Sequence, residues 1–481
     1  MAALILCMVF SSPVFLLYFL PIFLTIYFLL KKELKNAFLL CASICFYAWG
    51  APRFIFAILA TTTVDFYFVK LLYNSKTEKR RRLFLILSLC LNVGMLFYFK
   101  YCNFFIENFN HILQIAGIKQ LNWVTVILPI GISFYTFESI TYVVDVYRRI
   151  HKPLDNFFQY QMYIILFPKL IAGPIIRYHE ISDQIADRSA NDTIDNKLMG
   201  FYRFVIGLSK KVLIANVMAA KADEVFNMPV EQINASMAWI GALAYTFQIY
   251  FDFSGYSDMA IGLGRMLGFK FPENFNNPYT SQSITEFWRR WHMTLGNWMR
   301  NYLYIPLGGN KTSKKRMYIN LWLVFLASGF WHGAAWTFII WGIYHGLFLV
   351  IERAGFSKIL LRIGKIPATL ITFLIVCIGW VFFRANTLKQ ACLFIAKLFS
   401  FKFLLPDSFI SKEFMFYFLL AILFSFFTSF KIGESIQQKT YYANYTILGY
   451  LSGAVITCLL FTISVAAITS TGFNPFIYFR F

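Results

Sequence analysis

The chain has 481 residues, of which 59% are hydrophobic, 20% aromatic and only 14% charged. A soluble domain needs a more strongly charged surface, so this composition excludes one and predicts a polytopic membrane protein. The net charge of +21 does not indicate nucleic-acid binding, because the basic residues stand in short clusters between apolar runs, where membrane topology accounts for them.

Apolar segments alternate with basic clusters through the first third of the chain. Because Lys and Arg stay on the cytoplasmic side, clusters at residues 31–35, 76–82 and 148–152 are placed inside. The weakly charged stretch 108–122 is predicted as an outer loop. The helices that satisfy this rule cover residues 4–30, 37–49, 54–72, 83–105 and 123–146.

Residues 157–181 carry Pro168, Lys169, Gly173 and Pro174 inside an apolar run, which predicts a broken, re-entrant segment lining a cavity. A polar loop at 182–197 and helices at 201–218 and 237–263 follow. The last of these carries Asp252 and Asp258, whose six-residue spacing puts them on different faces. We expect structural hydrogen-bond acceptors here rather than a proton-sharing pair.

Residues 284–304 have a helical period with an aromatic stripe, which predicts an interfacial helix with His292 beside the stripe. Its polar positions have two interpretations. They are either contacts for an anionic thioester donor arriving from the cytoplasm or anchors for lipid headgroups. The residues placed at this donor site are Arg289, Arg290, Trp291, Asn297, Arg300, Asn301 and, further along, Trp331.

Residues 317–353 form an apolar segment with basic clusters at both ends and His332 at its middle. The segment is predicted to enter the membrane, turn and return, with legs of about fifteen residues that are too short to span. Burial away from water favours the neutral imidazole, which can accept a proton. His332 is therefore interpreted as a general base, the alternative being a buried histidine that ties two helices together.

Helices at 368–383, 414–430 and 447–468 complete an all-α membrane protein of about eleven spanning helices with re-entrant and interfacial pieces. We treat residues 1–481 as one membrane domain, with a core segment at 284–353 and an outer aromatic tail at 473–481. Four aromatic residues in 474–481 indicate that the tail docks into the protein. Its Tyr478 is either an acyl acceptor or part of an interfacial aromatic belt. The cysteine and histidine spacings predict no metal site.

Four separate motifs, in order, carry a resemblance that covers almost the whole chain. They are LPIGISFYTF at 128–137, FWRRWHMTL at 287–295, YLYIPLGGN at 302–310 and FWHG at 330–333. The chain resembles the membrane-bound O-acyltransferases, and within them the bacterial alginate and peptidoglycan O-acetyltransferases.

The resemblance implies a multi-helix fold in which a cytoplasmic and an outer funnel meet at a narrow tunnel through the membrane. His332 matches the family's catalytic histidine, His292 its second and more variable histidine, and Tyr478 the tyrosine of a C-terminal motif that carries the acyl group. Asn301 stands where relatives often have Asp. Such proteins use acetyl-CoA as donor without a cofactor, sit in the cell inner membrane among its lipids, and work with a periplasmic SGNH-type acetyltransferase on a polysaccharide acceptor.

These observations lead to one main hypothesis and two alternatives. The main hypothesis is a membrane O-acetyltransferase that takes acetyl from cytoplasmic acetyl-CoA for a cell-surface polysaccharide. A transporter or flippase of the acyl donor, without covalent chemistry, is the first alternative, but no inverted repeat accompanies its broken segment. A scaffold that recruits a polysaccharide-modifying enzyme is the second.

Overall fold

A computed structural model of the chain describes residues 8–406, 408–442, 445–472, 475 and 477. Regular structure in these residues is helical and includes no β-strand, which confirms the all-α class. Helices long and apolar enough to cross a membrane number six in this part of the chain, and the predicted total of about eleven stays a prediction. The six are Phe54–Asn74, Glu78–Ile115, Trp336–Ile363, Lys365–Arg384, Lys412–Ser429 and Ile447–Ser470.

The chain forms two compact units. The first contains residues 1–196 and 267–271, and the second contains residues 197–266 and 272–481. The α-helices of the first unit are Leu20–Leu29, Lys32–Gly50, Phe54–Asn74, Glu78–Leu96, Cys102–Ile115, Ile132–Tyr147, Phe157–Ile165, Phe167–Leu170 and Tyr178–Ala186, with π-helical turns at Phe15–Phe19 and Phe97–Tyr101.

Several predicted boundaries in the first unit are wrong for local reasons. Within the described residues the first helix begins near Ser12, whose hydroxyl accepts a hydrogen bond from the Phe15 amide (3.2 Å), and the predicted start at residue 4 lies outside them. The helix predicted at 123–146 begins at Ile132, after Pro129 and a left-handed Gly131 (φ 78°). Helical structure also extends into the predicted loops, through Cys102–Ile115 and Tyr178–Ala186.

The break predicted within residues 157–181 is confirmed and is enclosed by protein, whereas the cavity predicted beside it stays a prediction. Helices Phe157–Ile165 and Phe167–Leu170 are separated at Leu166. The Lys169 ammonium forms an ion pair with Glu138, and both side chains are almost completely buried. The Tyr163 hydroxyl donates to the Ile176 carbonyl (3.1 Å), so polar groups of the interruption find partners within the protein.

The second unit carries every predicted site residue that the structure describes. Its α-helices are Ile194–Ser209, Asn216–Phe226, Ala235–Met266, Ile284–Arg290, Met293–Trp298, Lys314–His332, Trp336–Ile351, Ser357–Ile363, Lys365–Arg384, Leu388–Leu398, Lys412–Phe426, Lys431–Tyr441 and Ile447–Thr471. Lys210–Ala215, Met299–Tyr304 and Glu352–Phe356 are π-helical.

The core of the second unit surrounds the helix Ala235–Met266. Its 32 residues are buried along most of their length, including Asp252 and Asp258, so this helix lies inside the bundle. Large aromatic side chains pack around it, including Trp291, Trp341 and Trp380. Ile477 of the C-terminal tail belongs to the same core, which places part of the tail inside the second unit.

Candidate active site

The predicted hairpin around His332 is present. Lys314–His332 and Trp336–Ile351 pack against each other, and the chain reverses at residues 333–335. Glycines allow the close approach: a Cβ added at Gly329 would lie 2.5 Å from the Phe338 carbonyl oxygen, and one at Gly342 2.5 Å from that of Phe325. The backbones are therefore in direct contact one turn before His332, and the ring position follows from that contact.

The legs of the hairpin are longer than predicted. Lys314–His332 has 19 residues, and Trp336–Ile351 continues through Glu352–Phe356 into Ser357–Ile363, interrupted at Gly355 (φ 137°). The whole stretch Trp336–Ile363 is one of the candidate spans. The sequence predicts that this leg ends at the basic residue Arg353, but the π-helical turn Glu352–Phe356 continues the helix past it. The depth of His332 in a membrane stays a prediction.

His332 ends its helix among aromatic rings. Its ring centre lies 4.9 Å from that of Trp331, 5.2 Å from that of Trp341 and 5.1 Å from that of Phe383, each approached edge to face. The side chain is buried, with 7% of its surface exposed. An imidazole in such surroundings is desolvated and oriented, as a group that takes a proton from a bound hydroxyl needs to be.

His332 lines a small cavity together with Ile477. The remaining walls are Ile249, Phe253, Trp291, Trp380 and Phe383, and the volume is about 10 Å³, room for about one water molecule. Ile477 is 3% exposed, so the tail docks at this point. Tyr478 follows directly in the sequence but lies outside the described residues.

His292 marks a break in what the sequence predicts as one helix. Ile284–Arg290 and Met293–Trp298 are separate helices, and His292 between them is left-handed (φ 44°). Asn274 holds the break: its carbonyl accepts from the Met293 amide (2.9 Å), and its side chain accepts from the Thr294 hydroxyl (2.9 Å). Such strained conformations persist where surrounding contacts impose them, and they cluster at functional sites.

The two predicted histidines lie near each other without touching. Their ring centres are 6.4 Å apart, and the Trp331 ring lies 5.9 Å from that of His292. His292 is 1% exposed, and neither of its ring nitrogens has a hydrogen-bond partner in the described part of the chain. Burial lowers the pKa of His292 to about 3, so the ring is neutral at physiological pH. A neutral imidazole with free nitrogens can bind a polar group of a substrate.

The predicted donor residues divide into two groups. Trp291 and Trp331 are buried beside the histidines, whereas Arg289, Asn297 and Arg300 are exposed. Two residues are intermediate. Arg290 pairs with Glu286 on its own helix (2.6 Å), and Asn301 is half-buried. The structure thus brings the aromatic members to His332 but not the basic ones, and their role as donor contacts stays a prediction.

Sequence reasoning missed a third buried histidine, His345. It is fully buried between Trp288 and Trp341, whose ring centres are 5.0 and 5.2 Å away. Neither of its ring nitrogens has a partner among the described residues. The signal was available, because a histidine inside an apolar run deserves the same scrutiny wherever it occurs.

The two aspartates of the core helix are confirmed as structural acceptors. Asp258 accepts from Arg203 (2.9 Å) and Lys210 (2.6 Å). Asp252 pairs with Lys211 (2.8 Å) and accepts a hydrogen bond from the Ile477 amide (2.8 Å). Sequence reasoning left out Lys211 and Ile477, since neither has a local signal that points to the other.

A larger cavity of about 490 Å³ lies elsewhere in the second unit. The ion-paired Arg203, Lys210, Asp258 and Glu273 contribute to its wall, together with apolar side chains of Lys412–Phe426 and Ile447–Thr471. None of the predicted donor residues lines it. The larger cavity shares no lining residue with the small cavity beside His332.

Comparisons with known proteins agree with the motifs. A family model described as MBOAT, membrane-bound O-acyltransferase family, matches residues 148–391. A probable alginate O-acetylase of Azotobacter vinelandii is 42% identical, covering 98% of this chain and 100% of the relative. A probable alginate O-acetylase of Pseudomonas aeruginosa is 48% identical over 82% of this chain and 75% of the relative. A peptidoglycan O-acetyltransferase of Helicobacter pylori is 39% identical over 80% and 78%.

Proposed function

The chain belongs to the membrane-bound O-acyltransferase family, and from that premise we propose that it moves acetyl groups from cytoplasmic acetyl-CoA across the inner membrane for O-acetylation of a cell-surface polysaccharide. It is an acyltransferase and a multi-pass membrane protein. Relatives that align over most of their length act, by name, on alginate and on peptidoglycan. Those names support a polysaccharide as the final acceptor.

One observation carries the proposal further: His332 and Ile477 line the same small cavity, and Tyr478 is the next residue of the tail. A general base has to lie within hydrogen-bond reach of the hydroxyl it deprotonates, directly or through one water molecule. The docking of Ile477 supports such a placement for the Tyr478 hydroxyl. The acetyl group would then travel on the tail.

The chemistry balances with these groups. His332 takes the proton of the Tyr478 hydroxyl, and the oxygen attacks the thioester carbonyl of acetyl-CoA. The carbon–sulfur bond breaks, coenzyme A leaves as a thiolate, and the proton held by His332 returns to that sulfur. The product is an acetyl ester of Tyr478. A periplasmic SGNH-type partner then transfers the acetyl group to a polysaccharide hydroxyl and restores the tyrosine.

Three further assignments around this step belong to the proposal. His292 assists by binding a polar group of the donor, because neither nitrogen of its neutral ring has a hydrogen-bond partner within the described residues. The phosphates of acetyl-CoA bind on the cytoplasmic side to the polar residues of segment 289–301. These residues are Arg289, Arg290, Asn297, Arg300 and Asn301. Trp291 and Trp331 form the apolar wall along which the acetyl end of the donor reaches His332.

The test is the intact mass of the purified protein after exposure to labelled acetyl-CoA, with peptide mapping of the C-terminal fragment. The label should appear on Tyr478 in the wild type and fall by about 10²- to 10⁴-fold in His332→Ala. Tyr478→Phe should abolish the acetyl label on the C-terminal peptide. His111→Ala, which changes an exposed histidine of helix Cys102–Ile115, should label like the wild type. Full labelling of correctly inserted His332→Ala would refute the proposed role of His332.

A further inference from the structure

Two buried charges of the second unit hold each other and the tail. Lys211 and Asp252 are 2% and 1% exposed, and their charged atoms lie 2.8 Å apart. Neither residue lines the cavity of His332. A buried ion pair is costly unless further hydrogen bonds satisfy both charges, so the other contacts of these two side chains decide what the pair does.

Close helix packing explains why the two charges meet. Ile194–Ser209 and Ala235–Met266 touch at glycines: a Cβ at Gly207 would lie 2.5 Å from the Gly255 carbonyl oxygen, and one at Gly255 2.6 Å from that of Gly207. Beyond this contact the first helix becomes π-helical at Lys210–Ala215. Single π-helical turns occur frequently at functional sites, and this one carries Lys211.

The tail supplies the contacts that complete the pair. The Lys211 ammonium donates to the Pro475 carbonyl and to the Asn216 side-chain oxygen (2.8 Å), besides its ion pair with Asp252. The second carboxylate oxygen of Asp252 accepts from the Ile477 amide (2.8 Å). An ammonium has three N–H groups, and here three acceptors meet them. One of the three belongs to the tail.

We propose that Lys211 and Asp252 form a binding site for the main-chain groups of Pro475 and Ile477, a tail clamp that holds Ile477 beside His332. The contacts described above support the clamp itself. Its role is to position the Tyr478 hydroxyl for acylation, and this role rests on the proposed function. Lys211 and Asp252 are positioning residues in this scheme. They bind main-chain groups, and among the described tail residues the side chain of Ile477 lines the cavity of His332.

The buried pair of Lys211 and Asp252 favours the state in which the tail is bound. When the tail leaves, Lys211 loses one acceptor and Asp252 loses one donor while both stay buried. Buried charged groups with unmet hydrogen bonds are unfavourable, so the state with the tail bound has the lower free energy. A tail that must return after each transfer needs such a site.

The chain offers a matched control one residue away. Lys210 is also a lysine of the π-helical turn, but its ammonium pairs with Asp258 (2.6 Å), whereas the Lys211 ammonium donates to the Pro475 carbonyl. Lys210→Met and Lys211→Met therefore remove the same charge from the same turn. A difference between them reports the tail contact rather than a general effect of charge removal.

The experiment is digestion of the purified full-length protein by carboxypeptidase, with intact mass reporting the rate at which residue 477 is removed. The wild type and Lys210→Met should be protected. Lys211→Met should lose residue 477 at least about tenfold faster, the change expected from one lost hydrogen bond to a charged group. Equal rates in Lys210→Met and Lys211→Met would overturn the clamp.

A second pair of variants keeps the test valid if Lys211→Met does not fold. Ile477→Pro removes the amide proton that Asp252 accepts, whereas Ile477→Val keeps it and trims one methylene group from the side chain. For this pair the readout is the removal of residue 479, because carboxypeptidases cleave poorly at proline, and faster removal is expected in Ile477→Pro than in Ile477→Val. Equal protection of the two would contradict the hydrogen bond to Asp252.

Labelled acetyl-CoA separates this inference from the proposed function. Protection of residue 477 without any label on Tyr478 would leave the clamp standing and refute the acyl-carrier role of the tail. Equal labelling and equal protection of wild type and Lys211→Met would refute the clamp and leave the carrier role intact. Slower labelling of Lys211→Met together with faster digestion is the outcome expected if both are right.

Discussion

Three buried histidines lie among aromatic rings in the second unit, and their neighbours decide what each can do. His332 lines a cavity with Ile477, His292 sits in a strained break beside Trp331, and His345 is enclosed by Trp288 and Trp341. Residue type alone does not separate these roles. Access to the cavity does, and it is the reason why the proposed function gives the proton-accepting role to His332.

His345 should tolerate replacement by another aromatic ring. His345→Phe removes two buried nitrogens that have no partner in the described ranges and keeps the edge-to-face contacts. We therefore expect the free energy of unfolding to stay unchanged or to rise by up to about 1 kcal/mol. Acetyl labelling should persist in His345→Phe and disappear in His332→Phe. Loss of labelling in a stable His345→Phe protein would show that His345 takes part in the reaction.

His292 should not titrate in the range of an activity assay. Its pKa is depressed from the ordinary value of about 6.5 to about 3, so the ring is neutral above roughly pH 4 and its protonation adds no limb to the pH profile. His292→Gln, which also has a donor and an acceptor, should lower the labelling rate by up to about tenfold at every pH. An acid limb present in the wild type and missing in His292→Gln would contradict this.

At the scale of elements, the position of His332 depends on the hairpin contact between Lys314–His332 and Trp336–Ile351. Gly329 and Gly342 let the two backbones meet, and the turn follows within one helical turn of that contact. Small residues at helix interfaces are a usual means of close approach in membranes, where packing rather than the hydrophobic effect drives association.

Gly342→Ala should therefore disturb both stability and transfer. Its Cβ would lie 2.5 Å from the Phe325 carbonyl oxygen, so the helices must separate, at a cost of about 1–3 kcal/mol. We expect a lower melting temperature in detergent and a slower acetyl labelling rate. Gly94→Ala is the control, because its Cβ would meet nothing within 4 Å inside helix Glu78–Leu96 and should stabilise by about 0.5–1 kcal/mol. Wild-type behaviour of Gly342→Ala would show that the interface is looser than described.

At the scale of the whole molecule, the direction of transfer requires a fixed topology. The donor is cytoplasmic in the proposed function, and the tail has to reach the outer side. Basic residues Lys431 and Lys439 lie between the candidate spans Lys412–Ser429 and Ile447–Ser470, which predicts that this connection is cytoplasmic. The last span then leads outward to the tail.

Reporter fusions test this arrangement. Alkaline phosphatase, which folds only outside the cytoplasm, should be inactive when fused after Thr440 and active when fused after Gly472. A fluorescent protein that folds only in the cytoplasm should give the opposite pattern. Reversed results would place the tail on the same side as acetyl-CoA, and transfer across the membrane through Tyr478 would then be ruled out.

Some features of the site could be predicted from the sequence and others could not, and particular residues show why. His332 was identified correctly at the turn of a two-helix hairpin, because an ionisable residue inside an apolar run between basic clusters is a local pattern. The helix break at His292 was not predicted, since Asn274 holds it from 20 residues away through Thr294. Local periodicity describes neighbours up to four residues apart and is silent about such contacts.

The sequence by itself determined that this is an all-α membrane protein of the O-acyltransferase family and that His332 stands at a turn, because composition, charge clusters and motifs are properties of contiguous residues. The tertiary structure decided which side chains share a space. Ile477 meets Asp252 across 225 residues of sequence, and Pro475 meets Lys211 across 264. Those contacts arise only when separate helices pack against each other, and no period or motif in the chain encodes them directly.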